Sequence, residues 1–267
     1  MYETTYHLAS DVKDAAARFA AAGEGRYLAG GQTLIPTMKQ RLAAPSDLID
    51  ISRLAELRGI AASGELVTIG AATTHAEVQR SDAVSRSIPA LAALAGLIGD
   101  PAVRHRGTLG GSLANDDPAA DYPAAVLALG ATIHTDKRAI PADLFFTGLF
   151  ATVLDDGEII TKVAFPVPAK AAYEKFKHPA SGYAMTGVFV ARTKQGEVRV
   201  AVTGAGNRGV FRAGDIEKVL ADHFFPAAID AVTIDAGAML SDIHGSAVYR
   251  ANLVKVMAKR AVKLAAS

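Results

Sequence analysis

Two glycine pairs that lie far apart in the sequence constrain this chain more than any other feature. Gly30-Gly31 follow a short apolar run, and Gly110-Gly111 lie within residues 99–125, which are also rich in small hydroxyl residues and aspartates. Glycine lets backbone amides come close to a ligand, and phosphate is the anion that such turns most often bind. The sequence therefore predicts that both segments contact one anionic ligand, and two turns suit a diphosphate better than a single phosphate.

Composition excludes several classes of protein. The chain has 267 residues, of which half are apolar and 6% aromatic, and its net charge is +1. These values are typical of a globular protein with two or three subdomains and predict no nucleic-acid surface. Cysteine is absent, which excludes disulfides, thiolate metal sites, bound iron–sulfur clusters and a cysteine nucleophile. Any redox role must therefore use a bound organic cofactor.

The sequence also carries no targeting or membrane signal. The first residues are partly acidic and lack the basic and apolar regions of a signal peptide. The longest runs with little charge, such as residues 122–135, are shorter than the ~20 residues that a bilayer span requires. We therefore predict a cytoplasmic protein without a membrane span.

Hydrophobic periodicity predicts an α+β fold. Before Pro166, helical and extended patterns alternate, and residues 99–125 are predicted to be irregular. Pro166 and Pro168 predict a domain boundary, with residues 1–168 forming one domain of two subdomains, about 1–55 and 56–168. Three alternating strands and two helices then predict an antiparallel sheet covered by helices over residues 169–267.

Other motifs are weaker. Residues 204–209 match GxGxxG, but no βαβ unit follows, so a hairpin turn is favoured over a dinucleotide site. Asp116 and Asp117 lack the spacing of a calcium loop, and the histidines are scattered, so no metal site is predicted. Asp121 has two interpretations, as the acceptor for a ribose hydroxyl or as the cap of the following helix. We predict no catalytic residue.

Four segments together resemble a known family. They are AGGQTLIPTMKQRL, IGAATTHAEV, residues 99–124 with the sequence DPAADYPA, and KFKHPASGYA, in that order. This chain resembles the FAD-binding medium subunits of molybdenum hydroxylases, of the carbon monoxide dehydrogenase and xanthine dehydrogenase type. The resemblance extends over essentially the whole chain.

The resemblance implies a fold, a cofactor and partners. It implies a two-subdomain FAD-binding domain of the PCMH or vanillyl-alcohol-oxidase-like type, followed by a C-terminal sheet-and-helix domain. It also implies a large molybdopterin subunit and a small subunit with two-iron iron–sulfur clusters as partners. The FAD contacts that it implies are Leu28, Ala29, Gly30, Gly31, Gln32, Thr33 and Leu34 in the first loop, Thr108, Gly110, Gly111 and Ser112 in the second, and Ile98, Asp121, Ile160, Lys177 and Tyr183 around the rest of the cofactor.

Function follows as a hypothesis with two rivals. We expect a flavoprotein that takes electrons from an iron–sulfur partner and passes them to an external acceptor. A self-sufficient FAD-dependent oxidase or reductase is the alternative, and it requires an acid or base near the flavin. The third possibility is an assembly module without cofactor, against which the glycine pairs argue, because without a ligand they would only weaken the fold.

Overall fold

The structure, a computed structural model, describes residues 1–267. Its strands are β1 (Thr5–Leu8), β2 (Gly25–Leu28), β3 (Asp47–Asp50), β4 (Ile60–Ser63), β5 (Leu66–Gly70), β6 (Thr132–Thr135), β7 (Ala139–Pro141), β8 (Phe146–Gly148), β9 (Ala151–Thr152), β10 (Ile160–Pro166), β11 (Lys170–Lys177), β12 (Ala184–Arg192), β13 (Val198–Thr203) and β14 (Phe211–Arg212). Its helices are α1 (Val12–Ala21), α2 (Leu34–Lys39), α3 (His75–Arg80), α4 (Asp82–Ser87), α5 (Pro89–Gly96), α6 (Pro101–Arg104), α7 (Leu109–Asn115), α8 (Tyr122–Ala128), α9 (Gly214–Asp222) and α10 (Ala247–Ala266).

The first sheet is parallel and brings the first glycine pair to one end of its strands. Strands β1, β3 and β2 lie side by side in that order, and α1 connects β1 to β2. Asp11 caps α1 by accepting a hydrogen bond from the Asp14 amide, and Phe19 of this helix stacks on Tyr27 of β2. Strand β2 then ends at Leu28, directly before the loop with Gly30 and Gly31.

The second sheet is antiparallel and holds the main core. Its order is β4-β5-β10-β6-β7, and helices α3 to α8 are inserted between β5 and β6. Every residue of α8 is buried, as its continuous apolar sequence predicts. Strands β4 and β7 were not predicted. Both are short hairpin partners with several exposed residues, so their sequences carry little alternation.

The third sheet packs against helix α8 of the second sheet's core. Its order is β11-β12-β13-β14, all antiparallel, with α10 packed against β11 and β12 and α8 packed against β12 and β13. Phe189 and Ala201 of this sheet belong to the same buried cluster as the core of the second sheet. Arg199 donates a hydrogen bond of 3.0 Å to the carbonyl of Leu127 in α8. The predicted α+β fold class is therefore confirmed.

The chain changes sheet where the two prolines predict a boundary. Strand β10 ends at Pro166 in the second sheet, and β11 begins at Lys170 in the third. The division at residue 168 stays a prediction that this change of sheet supports, and the division into subdomains near residue 55 also stays a prediction. The GxGxxG match at residues 204–209 lies between the antiparallel strands β13 and β14, as a hairpin loop.

Two expectations for residues 99–125 are wrong. The segment is not irregular throughout, because it contains α6 and α7. Thr108 caps α7, and Gly110 allows this helix to lie against Ala71, where a Cβ on Gly110 would be 2.6 Å from the Ala71 Cβ. Asp121 does not cap α8, because its side chain makes no capping hydrogen bond and is turned toward the third sheet.

Candidate functional site

A single cavity of about 900 Å³ gathers the predicted cofactor contacts. Its walls come from the first loop, from α7, from β10 and from the loop between β11 and β12. This volume lies within the range of small-molecule and cofactor sites. Fifteen of the sixteen predicted contacts line it, namely Leu28, Ala29, Gly30, Gly31, Gln32, Thr33, Leu34, Ile98, Thr108, Gly110, Gly111, Ser112, Asp121, Ile160 and Tyr183.

The first loop presents unpartnered backbone amides to this cavity. No backbone N–H of residues 29–34 donates a hydrogen bond to another protein atom. Gly31 has a φ of +71°, a left-handed conformation that favours glycine. Phosphate oxygens are suitable acceptors for a run of unpartnered backbone amides. The first segment therefore has the properties of an anion-binding loop.

The two glycine segments meet at Gly30. A Cβ on this residue would lie 2.3 Å from the carbonyl oxygen of Arg106 and 2.7 Å from the Cα of Gly107. The first loop thus packs backbone to backbone against the start of the second segment, and only glycine allows this approach. The two remote segments form one continuous wall of the cavity.

The second segment differs chemically from the first. The Leu109 amide donates to the Thr73 carbonyl (3.1 Å), the Gly110 amide to the Ala71 carbonyl (2.8 Å), and the Gly111 amide to Oγ1 of Thr108 (3.2 Å). The expectation that both segments offer a run of free amides is therefore wrong for the second, in which Thr108 is the one residue of 108–112 whose amide has no protein acceptor. Gly110 serves close packing against Ala71, and the segment contributes residues with hydroxyl groups, such as Ser112, to the cavity lining.

Asp121 is buried at the cavity wall with two partners from β11. The Tyr173 hydroxyl donates to Oδ1 over 2.5 Å, and Nζ of Lys175 donates to Oδ2 over 2.9 Å. Burial raises the pKa of the Asp121 carboxyl, and the nearby Lys175 ammonium and the Tyr173 hydroxyl act in the opposite direction. Burial and the adjacent carboxylate also raise the pKa of Tyr173, so its hydroxyl keeps the donated proton.

Lys177 is the one predicted contact that does not line the cavity. Simple alternation would place it on the same face of β11 as Tyr173 and Lys175. The pairing with β12 shifts between Phe176 and Lys177, however, and this irregularity leaves Lys177 exposed. Its role at the cofactor stays a prediction that the position of its side chain does not favour.

The loop that carries Tyr183 closes one end of the cavity. The amide of His178 donates to the Tyr183 carbonyl (2.8 Å), and the amide of Gly182 donates to the His178 carbonyl (2.9 Å). Residues 180–183 line the cavity, and Tyr183 is 56% exposed. An aromatic ring in such a position can cover the face of a planar ligand.

Sequence reasoning missed several lining residues, of which His75 is the most unusual. Its Nδ1 is buried without a hydrogen-bond partner, and burial lowers the pKa of its imidazole to about 4. The His75 amide also donates to the Gly107 carbonyl, which joins α3 to the second segment. The signal lay in the motif IGAATTHAEV, whose role is to support the second segment.

The remaining carboxylates at the cavity are committed to structural hydrogen bonds. Asp100 accepts from the Val103 amide (2.9 Å), and Asp117 accepts from the Ala119 amide (2.8 Å). Glu158 forms an ion pair of 2.8 Å with Arg138, which holds the pKa of the Glu158 carboxyl at about 2. None of these groups is positioned as a free general base.

Two further findings concern metal sites and membrane spans. The structure contains no group of three or more histidine, aspartate or glutamate side chains that could bind a metal ion. None of the ten α-helices has both the length and the hydropathy needed to cross a membrane.

The cavity fits a flavin nucleotide. Unpartnered amides of residues 29–34 match the diphosphate, hydroxyl groups and Asp121 match a polyol, and Ile98 and Ile160 provide apolar walls for a ring system. The close contact at Gly30 shows that the binding wall depends on glycine at that position. The fold and the cavity together define an FAD-binding flavoprotein.

Comparison with known proteins identifies the family. Residues 2–168 match the model described as "FAD binding domain in molybdopterin dehydrogenase". The carbon monoxide dehydrogenase medium chain of Hydrogenophaga pseudoflava is 36% identical over 97% of this chain and 96% of its own length. The nicotine 6-hydroxylase medium subunit of Paenarthrobacter nicotinovorans is also 36% identical, over 96% of this chain and 95% of its own length.

A solved structure agrees with this assignment. Carbon monoxide dehydrogenase from Oligotropha carboxidovorans includes a chain that superposes with a TM-score of 0.89 at 33% identity, covering 99% of both chains. The present chain belongs to the family of FAD-binding domains in molybdopterin dehydrogenases. It is an FAD-binding oxidoreductase subunit of the molybdenum hydroxylase family, as the sequence resemblance predicted.

Proposed function

We propose that this chain is the electron-transfer subunit of a molybdenum-dependent hydroxylase or dehydrogenase. It takes electrons from iron–sulfur clusters of a partner subunit and passes them to an external acceptor. FAD, when bound, supplies redox chemistry that accepts electrons singly and releases them as a pair. The protein contributes the binding and orientation of the cofactor.

One observation supports electron transfer over catalysis by this chain alone. The lining carboxylates Asp100, Asp117, Asp121 and Glu158 all accept hydrogen bonds that fix them in the structure. His75 stays neutral at physiological pH because burial lowers its pKa to about 4. A self-sufficient oxidase or reductase needs an acid or base that can exchange protons with its substrate. Among its carboxylates and histidine, the cavity offers no side chain free for that task.

The proposed contacts divide according to the chemistry of the cofactor. The amides of residues 29–34 hold the diphosphate, and Thr108 and Ser112 add hydroxyl groups from the adjacent part of the same wall. Asp121 accepts a hydrogen bond from a hydroxyl of the cofactor. Tyr183 covers a face of the ring system at the exposed end of the cavity.

The proposed partners are a large molybdopterin subunit and a small subunit with two-iron clusters. This chain contains no cysteine, so thiolate-ligated clusters must belong to another chain. The relatives' own descriptions as medium chains or subunits support a larger assembly. Their names refer to carbon monoxide and to nicotine at equal identity to this chain, so similarity does not select a substrate.

Expression together with the neighbouring genes tests the proposal. We expect a yellow preparation in which this chain co-purifies with a large chain and a cysteine-rich small chain. Substrate should reduce the flavin in the assembled complex and should fail to reduce it in the isolated chain. Turnover of a substrate by the isolated chain would favour the self-sufficient oxidase or reductase, and a colourless protein that binds no added FAD would contradict both.

A further inference from the structure

Lys175 connects two proposed cofactor contacts from outside the cavity. Its side chain is 1% exposed, and its Nζ donates to Oδ2 of Asp121 (2.9 Å) and to the carbonyl oxygen of Leu97 (3.2 Å). Leu97 directly precedes Ile98, which forms an apolar wall of the cavity. One buried ammonium group thus holds both the carboxylate and the wall segment next to it.

The surroundings make this ammonium the main counter-charge of Asp121. The titratable groups that act on the Asp121 carboxylate or respond to it are Tyr173, Lys175 and Lys177 from β11, Tyr122 from α8, and Tyr183 from the mouth of the cavity. Lys175 is the only cation among them in direct contact, because Lys177 is exposed. Burial favours the neutral form of a carboxyl group, so removal of Lys175 would promote protonation of Asp121.

We propose that Lys175 is a positioning residue that keeps Asp121 ionised and correctly oriented, so that Asp121 acts as a charged acceptor for a hydroxyl group of FAD. This inference rests on the proposed role of the cavity as the FAD site. A charged acceptor binds a hydroxyl about twice as strongly as a neutral one. Lys175 therefore limits the loss of FAD affinity as pH falls, although it does not contact the cofactor.

The Tyr173 hydroxyl completes the arrangement. It occupies the second oxygen of Asp121, and Gly187 on β12 provides the space for it, because a Cβ there would lie 2.2 Å from the Tyr173 hydroxyl oxygen. Both carboxylate oxygens are thereby fixed in direction. Each oxygen keeps a lone pair for a further donor, and Asp121 lines the cavity from which that donor would come.

The test measures FAD affinity against pH in the apoprotein of the full chain. Wild type should bind FAD with a dissociation constant that changes little between pH 8 and pH 6. In Lys175→Met, binding should weaken by about tenfold over the same interval, because Asp121 becomes protonated. Lys175→Arg should restore most of the pH independence. Lys170→Met, an exposed lysine of the same strand, serves as the control for loss of a charge.

A second variant separates positioning from general stability. Asp121→Asn and the double variant Asp121→Asn/Lys175→Met should both bind FAD more weakly than wild type, and neither should show the pH dependence of Lys175→Met. The double variant also avoids an unpaired buried carboxylate, so it folds even if Lys175→Met does not. A pH dependence in Lys175→Met equal to that of wild type, or one that persists in the double variant, would overturn the inference. Failure of wild type to bind FAD would instead contradict the proposed site.

Discussion

The contact at Gly30 allows the sharpest test of the cavity. In Gly30→Ala the new methyl group would lie 2.3 Å from the Arg106 carbonyl oxygen and 2.7 Å from the Gly107 Cα. Protein Cβ contacts are essentially never shorter than 3.0 Å, so the two glycine segments must separate by at least about 0.7 Å. Gly30 does not have a positive φ, so the substitution adds no backbone strain of its own. The effect therefore arises from the contact between the segments alone.

Overpacking of this kind costs about 2 kcal/mol. If bound FAD requires the two segments to be in contact, this cost corresponds to an increase of about 30-fold in the dissociation constant of FAD. Quenching of flavin fluorescence during titration of the apoprotein measures this constant, and thermal unfolding of the same apoprotein reports any general damage. Gly64→Ala is the matched control, because a Cβ at that turn meets nothing within 4 Å. Wild-type affinity in Gly30→Ala would refute the convergence of the two segments on the cofactor.

Three further predictions test the neighbouring residues. Gly111→Val should impair FAD binding, because a Cβ there would lie 2.8 Å from Oγ1 of Thr108 and 3.8 Å from the Cβ of Ala29 in the cavity wall, and flavin absorbance of the purified variant checks this. Asp116→Asn should raise the free energy of unfolding at pH 8 by about 2 kcal/mol. Burial raises the pKa of the Asp116 carboxyl to about 7, so the stability that its neutral form gives is lost as pH rises through that value. Urea unfolding of the variant at pH 4 should therefore show almost no gain over wild type. Burial lowers the pKa of His75 to about 4, so the neutral side chain stabilises the fold above pH 6.5, and about 3 kcal/mol of the free energy of unfolding is lost as pH falls to about 4. His75→Gln should remove this loss. A pH profile of urea unfolding equal to that of wild type would disprove the role of His75.

Sequence patterns predicted the position of the cavity wall because glycine is typical of places where two backbone segments come into close contact. One glycine of each pair, Gly30 and Gly110, occupies a position where neighbouring backbone comes near, and a short apolar run defines the strand before the first pair. The patterns could not show which amides remain free, because the acceptors of the second segment, the carbonyls of Ala71 and Thr73, lie far away in sequence. Only the tertiary structure distinguishes an amide-rich loop from one whose amides are already bonded.

The sequence predicted Lys177 near the cavity, whereas the structure places Lys175 there, and the cause is similar. Both lysines share a face under regular alternation, and the irregular pairing after Phe176 depends on contacts with β12 that a single segment does not reveal. Likewise, Asp121 reads as a helix cap from its position before Tyr122, yet its carboxylate is directed to β11 by partners more than fifty residues later. Polar contacts between residues far apart in the sequence were therefore the part of the site that local sequence patterns could not predict.

The third sheet contributes to the cavity more than its place after the matched domain suggests. The Thr203 hydroxyl donates to the Ala120 carbonyl, the Gly204 amide donates to the Pro118 carbonyl, and residues 180–183 close one end of the cavity. A polypeptide ending near residue 168 would keep every glycine of the two segments but lose these supports. Retention of yellow colour would then serve as a reporter for correct folding of the C-terminal third.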